Sequence, residues 1–385
     1  MNPSQRSRMT AWLSLFVLFL FATLSTSTAQ AQSAAKYGAD FLSGGVGARA
    51  LGMGGAQVAL AKDVNAGYWN PAGLSQLGSP ELAYMHAERF AGIVSFDYGS
   101  VALPITGQSS IGISFFRSGV NDIKNTLNAW DVERDQPKAR AETFFETFSA
   151  ADNAFFLSYS RALGDRFALG VTGKIIRRTI GDFADAWGYS FDVGMQYRTQ
   201  RFVFGVNLQD ASTMRQNWSI NRAAFEIDDI NPETDQPYTF EEVFEQDLPA
   251  GGSFLVLPVA RLGSGVILPV GNGNTFTVGM DLDMAFDGQQ ANVFNAGDVS
   301  FHPRIGTEFN LKNVVALRAG INRVTNSERY GLDITPSVGA GLRIKQVALD
   351  YGFGDFGGLA SDLGYSHRIS VQLSLERPGS ERTEN

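Results

Sequence analysis

The chain has 385 residues, of which 42 are glycine, 12% are aromatic and none is cysteine. This composition excludes a disulfide framework and any metal site built on cysteine ligands, and the length allows one large all-β domain. The formal net charge is −8. An acidic chain argues against a nucleic acid as partner.

The first 31 residues have the arrangement of a secretion signal. Two arginines precede an apolar run over residues 11–24, and Ala-Gln-Ala at residues 29–31 forms a small-x-small cleavage site. The alternative is a membrane-anchor helix, but the apolar run is shorter than the roughly 20 residues that a helical span requires. Cleavage after Ala31 leaves 29 basic and 39 acidic residues.

Residues 32–80 are rich in glycine and show little alternation of polar and apolar positions. Asn70, Pro71, Ala72 and Gly73 place Asn, Pro and Gly at their favoured positions i, i+1 and i+3 of a type I turn. A tight turn among glycines favours a compact plug, or hatch, packed inside a larger structure. An ordinary surface loop is the alternative.

From residue 81 onward, large apolar residues alternate with small or polar ones. The clearest case is WGYSFDVGMQY at residues 187–197, whose period of two predicts a β-strand with two different faces. About eleven residues with aromatic ends suit a tilted crossing of a bilayer. Fourteen stretches of this kind occur, at residues 81–88, 92–103, 109–117, 153–163, 166–178, 186–198, 201–209, 258–270, 275–285, 302–311, 314–322, 335–344, 346–354 and 366–376.

The connections between these strands are short after the even-numbered strands and longer after the odd-numbered ones, except after the first. Outer-membrane barrels have short periplasmic turns and longer outside loops. A set of soluble β-sandwiches is the alternative, but no Pro/Ser linker divides the chain. The sequence therefore predicts an all-β fold: a 14-stranded antiparallel transmembrane β-barrel over residues 81–376, a hatch at 32–80 and a polar tail at 377–385. The predicted location is a bacterial outer membrane, with its lipid as the first partner.

The alternation also assigns faces to the side chains. Predicted lipid-facing residues are Phe202, Phe204, Val206, Leu208, Phe276, Val278, Met280, Leu282, Met284, Val347, Leu349, Tyr351 and Phe353. Predicted inward residues are Lys174, Asp192, Asn207, Arg261, Asp281, Asp283, Glu308, Arg318, Arg343, Asp350, Arg368 and Gln372. Mixed charges indicate a network around a plug, because ion-selective pores use rings of one sign.

The sequence shows no pattern that predicts an enzyme. His86, His302 and His367 are the only histidines, and none stands in a metal-ligand spacing. Asp281 and Asp283 share a strand face and could mimic an acid/base pair, but charges of this kind are usual in a barrel lumen. We therefore expect no catalytic residue, no metal site and no cofactor.

A family resemblance rests on two stretches. The run GARALGMGGAQVALAKDVNAGYWNPAGL at residues 47–74 resembles the hatch of FadL-like outer-membrane proteins, and most closely that of the PorV/PorQ family of the type IX secretion system. VALDYGFGDFGGLASDLGYSHRISVQLSL at residues 347–375 resembles the last hairpin of that family. The resemblance covers residues 36–376, and its most specific element is the Asn-Pro-Ala-Gly turn, shared with fatty-acid transporters of this fold. It implies a 14-stranded barrel with an N-terminal plug.

Two functions follow from this resemblance. A PorV/PorQ-like protein would be a non-enzymatic component of type IX secretion that binds secreted or surface proteins and other secretion-system components. The alternative is a FadL-type transporter of long-chain fatty acids or other hydrophobic small molecules. The sequence departs from the family in two places. The last strand ends on Leu375 and Glu376 instead of an aromatic residue, and residues 210–257 are expected to form a long acidic loop.

The acidic loop supplies the candidate partner-binding residues. Phe240, Glu241, Glu242, Phe244 and Glu245 place aromatic side chains beside acids, which suits aromatic anchors in a charged rim. The whole loop contains ten acids against two arginines. Such a surface attracts basic partners and repels anionic fatty acids. The aromatic residues could equally line a hydrophobic groove through which a transported molecule enters.

Overall fold

The structure, a computed structural model, describes residues 40–90, 92–286, 294–297, 299–327, 331–355 and 365–375. The predicted signal at residues 1–31, the start of the predicted hatch at 32–39 and the polar tail at 377–385 lie outside the described residues. Among the residues that are described, no helix is long and apolar enough to cross a membrane.

Fourteen antiparallel strands form the wall, and two of them are interrupted. Their bounds are β1 Glu81–Arg89, β2 Val94–Pro104, β3 Ser109–Asn125, β4 Glu146–Ala162, β5 Phe167–Ile180, β6 Ala184–Arg198, β7a Phe202–Gln209 and β7b Met214–Ile220, β8a Gly252–Val256 and β8b Val259–Pro269, β9 Thr275–Ala285, β10 Val299–Leu311, β11 Val315–Ser327, β12 Gly331–Ile344, β13 Val347–Asp355 and β14 Tyr365–Ser374. Each strand pairs with its neighbour in the chain, and β1 pairs with β14 from Glu81↔Ser374 onward. The barrel is therefore closed, and this closure satisfies the backbone groups that lipid could not.

The break in strands β7 and β8 corrects the predicted loop at residues 210–257. Residues 214–220 and 252–256 are strand segments, which pair with each other and, through β7b, with β6. The long outside connection is therefore only residues 221–251. The outward positions of β7b, Arg215, Asn217 and Ser219, are polar, so this segment lacks the lipid-facing apolar residues that identify the other strands.

A second correction concerns the connection after β5, which was expected to be longer. It consists of residues 181–183 alone, because β5 and β6 remain paired as far as Ile180↔Ala184.

The outer end of β10 has a different partner from the rest of that strand. In the described residues, β10 and β11 pair from Leu311↔Val315 only to Ile305↔Ile321, and a short strand at Phe294–Ala296 pairs with the outer end of β10.

The plug consists of short helical pieces inside this wall. They are α1 Asp40–Ser43, α2 Ala48–Gly52, α3 Ala66–Trp69 and the 3-10 helix Pro71–Gln76. The outside connections carry the 3-10 helices Leu127–Ala129, Ala141–Phe144 and Arg222–Phe225, the helix α4 Phe240–Phe244, a small hairpin of Trp130–Asp131 with Gln136–Pro137 and another of Ile227–Asn231 with Gln236–Tyr238. The plug and the wall belong to one compact unit.

The predicted faces of the strands hold. The lipid-facing residues are exposed or half-buried, and the inward charges other than Arg343 are buried or half-buried. Arg343 shares the inward face with its register partner Ala348 but is exposed, because it lies beside the short turn after β12. In β6, Phe191 is 43% exposed and its neighbour Asp192 is 3% exposed. The wall therefore has an apolar outside and a polar or packed inside.

The face assignment makes a testable prediction at Phe191. Phe191→Arg should prevent the barrel from folding, because an arginine at the bilayer midplane costs about 2–4 kcal/mol. Asp185→Arg, at the outer end of the same strand, should fold. Heat-dependent mobility of the refolded variants on gels measures this, and equal behaviour of the two would mean that Phe191 does not face lipid.

Candidate functional site

The plug holds together through its own aromatic side chains. The Trp69 indole donates from Nε1 to the Val46 carbonyl at 3.0 Å, and the Tyr68 hydroxyl donates to the Leu42 carbonyl. Burial raises the pKa of the Tyr68 hydroxyl, so it stays a neutral donor. These bonds connect α3 to the chain around α1, and the plug is therefore a folded body and not a loose loop.

The predicted hatch turn begins the 3-10 helix. The Gly73 backbone N–H donates to the Asn70 carbonyl at 3.0 Å, as an i to i+3 turn requires. The Ala72 N–H donates to Asn70 Oδ1 at 3.2 Å, which makes Asn70 the N-cap, and Pro71 occupies the first helical position, where its missing N–H is not needed.

Asn70 also attaches the plug to the wall. Its side-chain amide donates to the Val58 carbonyl within the plug at 2.9 Å, and to the carbonyls of Met195 in β6 and Val206 in β7a at 3.1 and 3.3 Å. The side chain is fully buried. Its removal would leave buried donors and acceptors unpaired, at about 1–3 kcal/mol for each group. The sequence predicted the turn but not this contact with two strands.

The plug backbone lies directly on a belt of wall glycines. An added Cβ at Gly170 would overlap the backbone of Pro71 and Ala72, and one at Gly306 would overlap Met53. Many of these glycines are register partners on neighbouring strands, so they lie side by side in short runs. The pairs are Gly170↔Gly194, Gly205↔Gly263, Gly265↔Gly279, Gly279↔Gly306, Gly306↔Gly320 and Gly339↔Gly352.

On the β8–β14 side, charged wall side chains bind the plug. The Asp281 carboxylate accepts hydrogen bonds from the backbone N–H groups of Gln57 and Val58 at 2.7 and 2.8 Å. Glu308 receives both Arg49 of the plug, at 2.9 and 3.1 Å, and Arg318 of β11, at 2.6 Å. The mixed inward charges are therefore a network around a plug, as the sequence predicted.

Arg368 of β14 holds the first part of the plug. Its guanidinium donates to the carbonyls of Gly44 and Gly45 at 2.9 and 3.0 Å, and the side chain is 1% exposed. Charge-assisted hydrogen bonds of this kind are stronger than neutral ones. The segment between α1 and α2 is thus fixed to the wall near the seam of β14 and β1.

A buried ion cluster lies beneath the break in β7. Lys174 Nζ is 2.8 Å from Asp192 and 2.5 Å from Asp210, and Asp210 also accepts a hydrogen bond from Ser190 at 2.6 Å. Asp210 is 2% exposed. The expectation that this residue belongs to the acidic outside loop is therefore wrong. Its positive φ of 53° turns the chain at the break and directs the carboxylate toward the inside of the barrel.

Apolar and aromatic side chains cluster on the β1–β5 side of the lumen, together with Met214 of β7b. Tyr68 of the plug packs against Phe156 and Tyr98, with ring centroids 5.8 and 6.4 Å apart, and Phe41 packs against Phe116 at 6.0 Å. We call this region the apolar sector. Its buried members on the wall are Ala83, Met85, Ala87, Phe96, Tyr98, Ala102, Phe116, Ala154, Phe156, Ile176 and Met214, and on the plug Phe41, Leu42, Val46, Ala50, Ala61, Val64, Ala66, Tyr68, Trp69, Leu74 and Leu77.

The candidate partner-binding loop is an ordered part of an outside cap. Thr239 and Glu242 form a capping box that starts α4, and Glu241 pairs with Arg222 at 2.7 Å. The positive φ of Glu245 ends the helix. The Lys138 ammonium is 2.8 Å from Asp229, so the two long outside connections are joined.

Phe240 and Phe244, the predicted anchors, are half-buried in an aromatic row. Their rings lie 4.8 Å apart, and the row continues through Phe225 and Phe183 to Phe148 of β4, with neighbouring centroids 4.8–6.0 Å apart. The more exposed aromatic residues of the cap are Phe144 at 41% and Phe145 at 37%. The role of Phe240, Glu241, Glu242, Phe244 and Glu245 in binding a partner stays a prediction.

In the described part of the chain, no three His, Asp or Glu side chains come together in a way that could hold a metal ion. The structure places Asp281 and Asp283 in two different sets of contacts. Asp281 binds plug N–H groups, and Asp283 pairs with Arg304 at 2.7 Å. Both carboxylates are therefore occupied by structural contacts.

The glycine belt makes a prediction about the plug. Gly170→Ala should displace the plug, because its Cβ would meet backbone that cannot rotate away; overpacking of this kind costs about 1–3 kcal/mol. Gly173→Ala on the same strand faces outward, with its nearest neighbour atom 4.0 Å away, and should have no effect. Single-channel conductance should rise in the first variant alone. Unchanged conductance in a folded Gly170→Ala barrel would contradict the close packing.

No family model matches the sequence, and no curated protein matches it. Solved structures do. The toluene transporter TodX of Pseudomonas putida is 13% identical with a TM-score of 0.54, covering 86% of this chain and 99% of the transporter. The toluene transporter TbuX of Ralstonia pickettii is 12% identical with a TM-score of 0.52, covering 87% and 100%, and the monoaromatic hydrocarbon channel CymD is 13% identical with a TM-score of 0.52, covering 87% and 98%. At these identities the likeness shows the fold alone: the FadL-like plugged barrel of 14 strands expected from the sequence is confirmed.

Proposed function

We propose that this protein is a non-enzymatic outer-membrane channel that passes small hydrophobic molecules through its plugged barrel. The observation that carries the proposal is the apolar sector. On β1–β5, inward apolar and aromatic residues are mixed with small hydroxyl residues and few charges, whereas β8–β14 carry most of the buried charges. A lumen that conducts ions or sugars needs polar walls, whereas an apolar wall favours apolar solutes.

The two sides hold the plug with different kinds of contact. On the charged side, Asp281, Glu308 and Arg368 bind the plug through hydrogen bonds and ion pairs that would be left unpaired if it moved. On the apolar side, Phe41 and Tyr68 touch wall rings by packing. The plug backbone is held on this side by uncharged hydrogen bonds, from Ser160 of β4 to the Ala72 carbonyl and from Thr172 of β5 to the Gly67 carbonyl, both at 2.9 Å. An apolar solute can replace such packing contacts without leaving a charge or polar group unpaired. The proposed path therefore runs past the ring contacts that Phe41 and Tyr68 make with the wall.

The fold agrees with the proposal of a channel for hydrophobic molecules. Solved barrels of this fold are a toluene transporter from each of two bacteria and a monoaromatic hydrocarbon channel. The substrate class for this chain rests on its own lining and charge. Without Asp210, nine acids of the outside connection remain, among them Asp228, Glu233 and Asp235, which are exposed. This surface repels fatty-acid carboxylates, so uncharged hydrophobic molecules are the proposed substrates.

An uptake experiment tests this function. In cells that lack other hydrophobic-compound channels, expression of the protein should raise uptake of labelled toluene. Met214→Glu, in a side chain that is 0% exposed beside the break in β7, should lower that uptake by roughly tenfold, because a carboxylate in an apolar lining excludes apolar solutes. Asn217→Glu, an exposed position of the same segment, is the matched control.

The outcomes separate the path from the function. No uptake above that of cells without the protein would reject the function. Normal uptake with both variants folded would keep the function but place the path elsewhere in the lumen.

A second candidate function is protein docking, as in PorV/PorQ-like components of type IX secretion. The observation that favours it is the cap, where the exposed rings of Phe144 and Phe145 lie in an acidic surface. Aromatic residues within a charged rim suit a protein interface. The cationic side chains of Lys138 and Lys124 lie 5.1 and 5.4 Å from these two rings and hold them in place.

The cap can be tested apart from the channel. Phe144→Ser with Phe145→Ser should abolish surface display of secreted proteins in the native host if the cap docks them, while toluene uptake stays normal. Phe240→Ser with Phe244→Ser is the comparison pair within the half-buried row. Normal display in both double variants, together with normal display in a deletion strain, would eliminate the docking function.

A further inference from the structure

The outer surface of the barrel carries a row of polar residues on five neighbouring strands. The outward residues His86, Asp97, Arg117, Asn153 and Arg177 of β1–β5 stand directly opposite one another in the strand register. The next residue in the same row is Trp187 of β6. Because barrel strands are tilted, such a row climbs relative to the membrane from β1 to β6. The row marks the upper edge of the apolar band.

The apolar band is consequently much shorter on β1 than on β6. On β6, every outward position from Tyr197 up to Trp187 is apolar or aromatic. At about 3.3 Å per residue and a tilt near 40°, this stretch is about 25 Å tall, which matches a full hydrocarbon layer. On β1, only Leu82 and Tyr84 lie below His86, and on the same measure this apolar stretch is about 5 Å tall.

The polar groups above Tyr84 bind one another. The Tyr84 hydroxyl donates to Asp97 at 2.6 Å, and His86 Nδ1 lies 2.9 Å from the same carboxylate, while Glu88 is 3.7 Å from His86 Nε2. The side chains of His86 and Glu88 are 43% and 62% exposed. On the other side of the seam, the ring nitrogen Nδ1 of His367 in β14 is 2.7 Å from the Tyr351 hydroxyl of β13.

We propose that lipid headgroups and their water cover the polar cluster of Tyr84, His86, Glu88 and Asp97, so that the bilayer is locally thin along the β14–β1–β2 face. Acyl chains offer no hydrogen bonds, and exposed ionisable groups are costly in hydrocarbon. A bilayer thins beside a short apolar stretch at a modest cost per ångström. Thinning therefore leaves these groups hydrated. By the orientation expected from the short turns, the affected leaflet is the outer one.

Headgroups fit this surface better than a protein partner does. The cluster and the adjoining Arg117, directly opposite Asp97, carry charges of both signs, as a layer of phosphates and their counter-cations does. Its members already satisfy one another, so no partner group is needed to neutralise them. Protein interfaces are centred on apolar or aromatic anchors with few charges, and the centre of this cluster is charged.

Single cysteines test the proposal, because the chain contains no cysteine of its own. Glu88 and Phe191 each lie seven residues from the short-turn end of their strand, so Glu88→Cys and Phe191→Cys form a matched pair. With the purified protein in liposomes of phosphatidylcholine, a membrane-impermeant maleimide should label Glu88→Cys at least roughly tenfold faster than Phe191→Cys. Ser95→Cys, directly opposite Glu88, is a second variant for the same face. Heat-dependent gel mobility confirms folding of each.

Three outcomes would overturn the proposal. Equal and slow labelling of Glu88→Cys, Ser95→Cys and Phe191→Cys would mean that acyl chains cover the cluster. Fast labelling in liposomes but shielding in native envelopes would mean that a protein covers it. Fast labelling of Tyr197→Cys, at the short-turn end of β6, would mean that the whole barrel is tilted rather than the bilayer thinned.

Discussion

The rest of the structure depends on direct packing of the plug backbone against the barrel wall. Side chains at every inward position would keep the plug several ångströms from the strands, and its backbone groups could not reach wall partners. Inward glycines remove this spacer. The Asn70 amide can therefore bond to carbonyls of β6 and β7a, and Asp281 can accept from backbone N–H groups of Gln57 and Val58. Glycine adds no side-chain packing and has a low preference for β-strands, so these glycines destabilise the individual strands. Closure of the barrel offsets this loss, because it pairs the backbone of every strand with a neighbour.

Much of this fold can be predicted from local sequence patterns. Period-two alternation located all fourteen strands because lipid on the outside forces one apolar face, and strands such as β9 were predicted with the bounds that they have. Where lipid is absent, the pattern fails. The segments β7b and β8a extend beyond the apolar band, and the outward residues of β7b are polar, so this stretch of sequence resembles a loop. The same reason explains why the short connection after β5 was expected to be longer.

The contacts of the plug were less accessible to sequence reasoning. The turn at Asn70 has a local signature, since each residue prefers its position in the turn, but the partners of Asn70 lie more than a hundred residues away in β6 and β7a. Asp210 misled for a similar reason: it begins a stretch of sequence that contains nine further acids, whereas its neighbours in space are Lys174 and Ser190. The glycine belt did leave a signal, because glycines recur at inward positions of successive strands. The total of 42 glycines does not by itself indicate the strand face on which each one lies.

The two sides of the barrel wall differ in which face carries the polar side chains. The polar residues of one side face outward, and those of the other side face the lumen. At the outer half of β1 and β2, apolar Met85 and Phe96 face inward while His86 and Asp97 face outward. At β10 and β11, the arrangement is the reverse, with Glu308 and Arg318 inside and Ile305 and Leu317 outside.

A wall segment with apolar residues inside and polar residues outside gains little from contact with lipid, and its inner face is stabilised only by what packs against it. In this structure the aromatic side chains of the plug fill that role, with Tyr68 and Phe41 against the rings of β2–β4. A hydrophobic solute can take the same place, since it offers the same apolar surface. In the proposed channel, a solute that displaces the rings of Phe41 and Tyr68 would keep this part of the wall covered. The hydrogen bonds of Glu81, Ser160 and Thr172 to the plug backbone would still hold the plug to β1, β4 and β5.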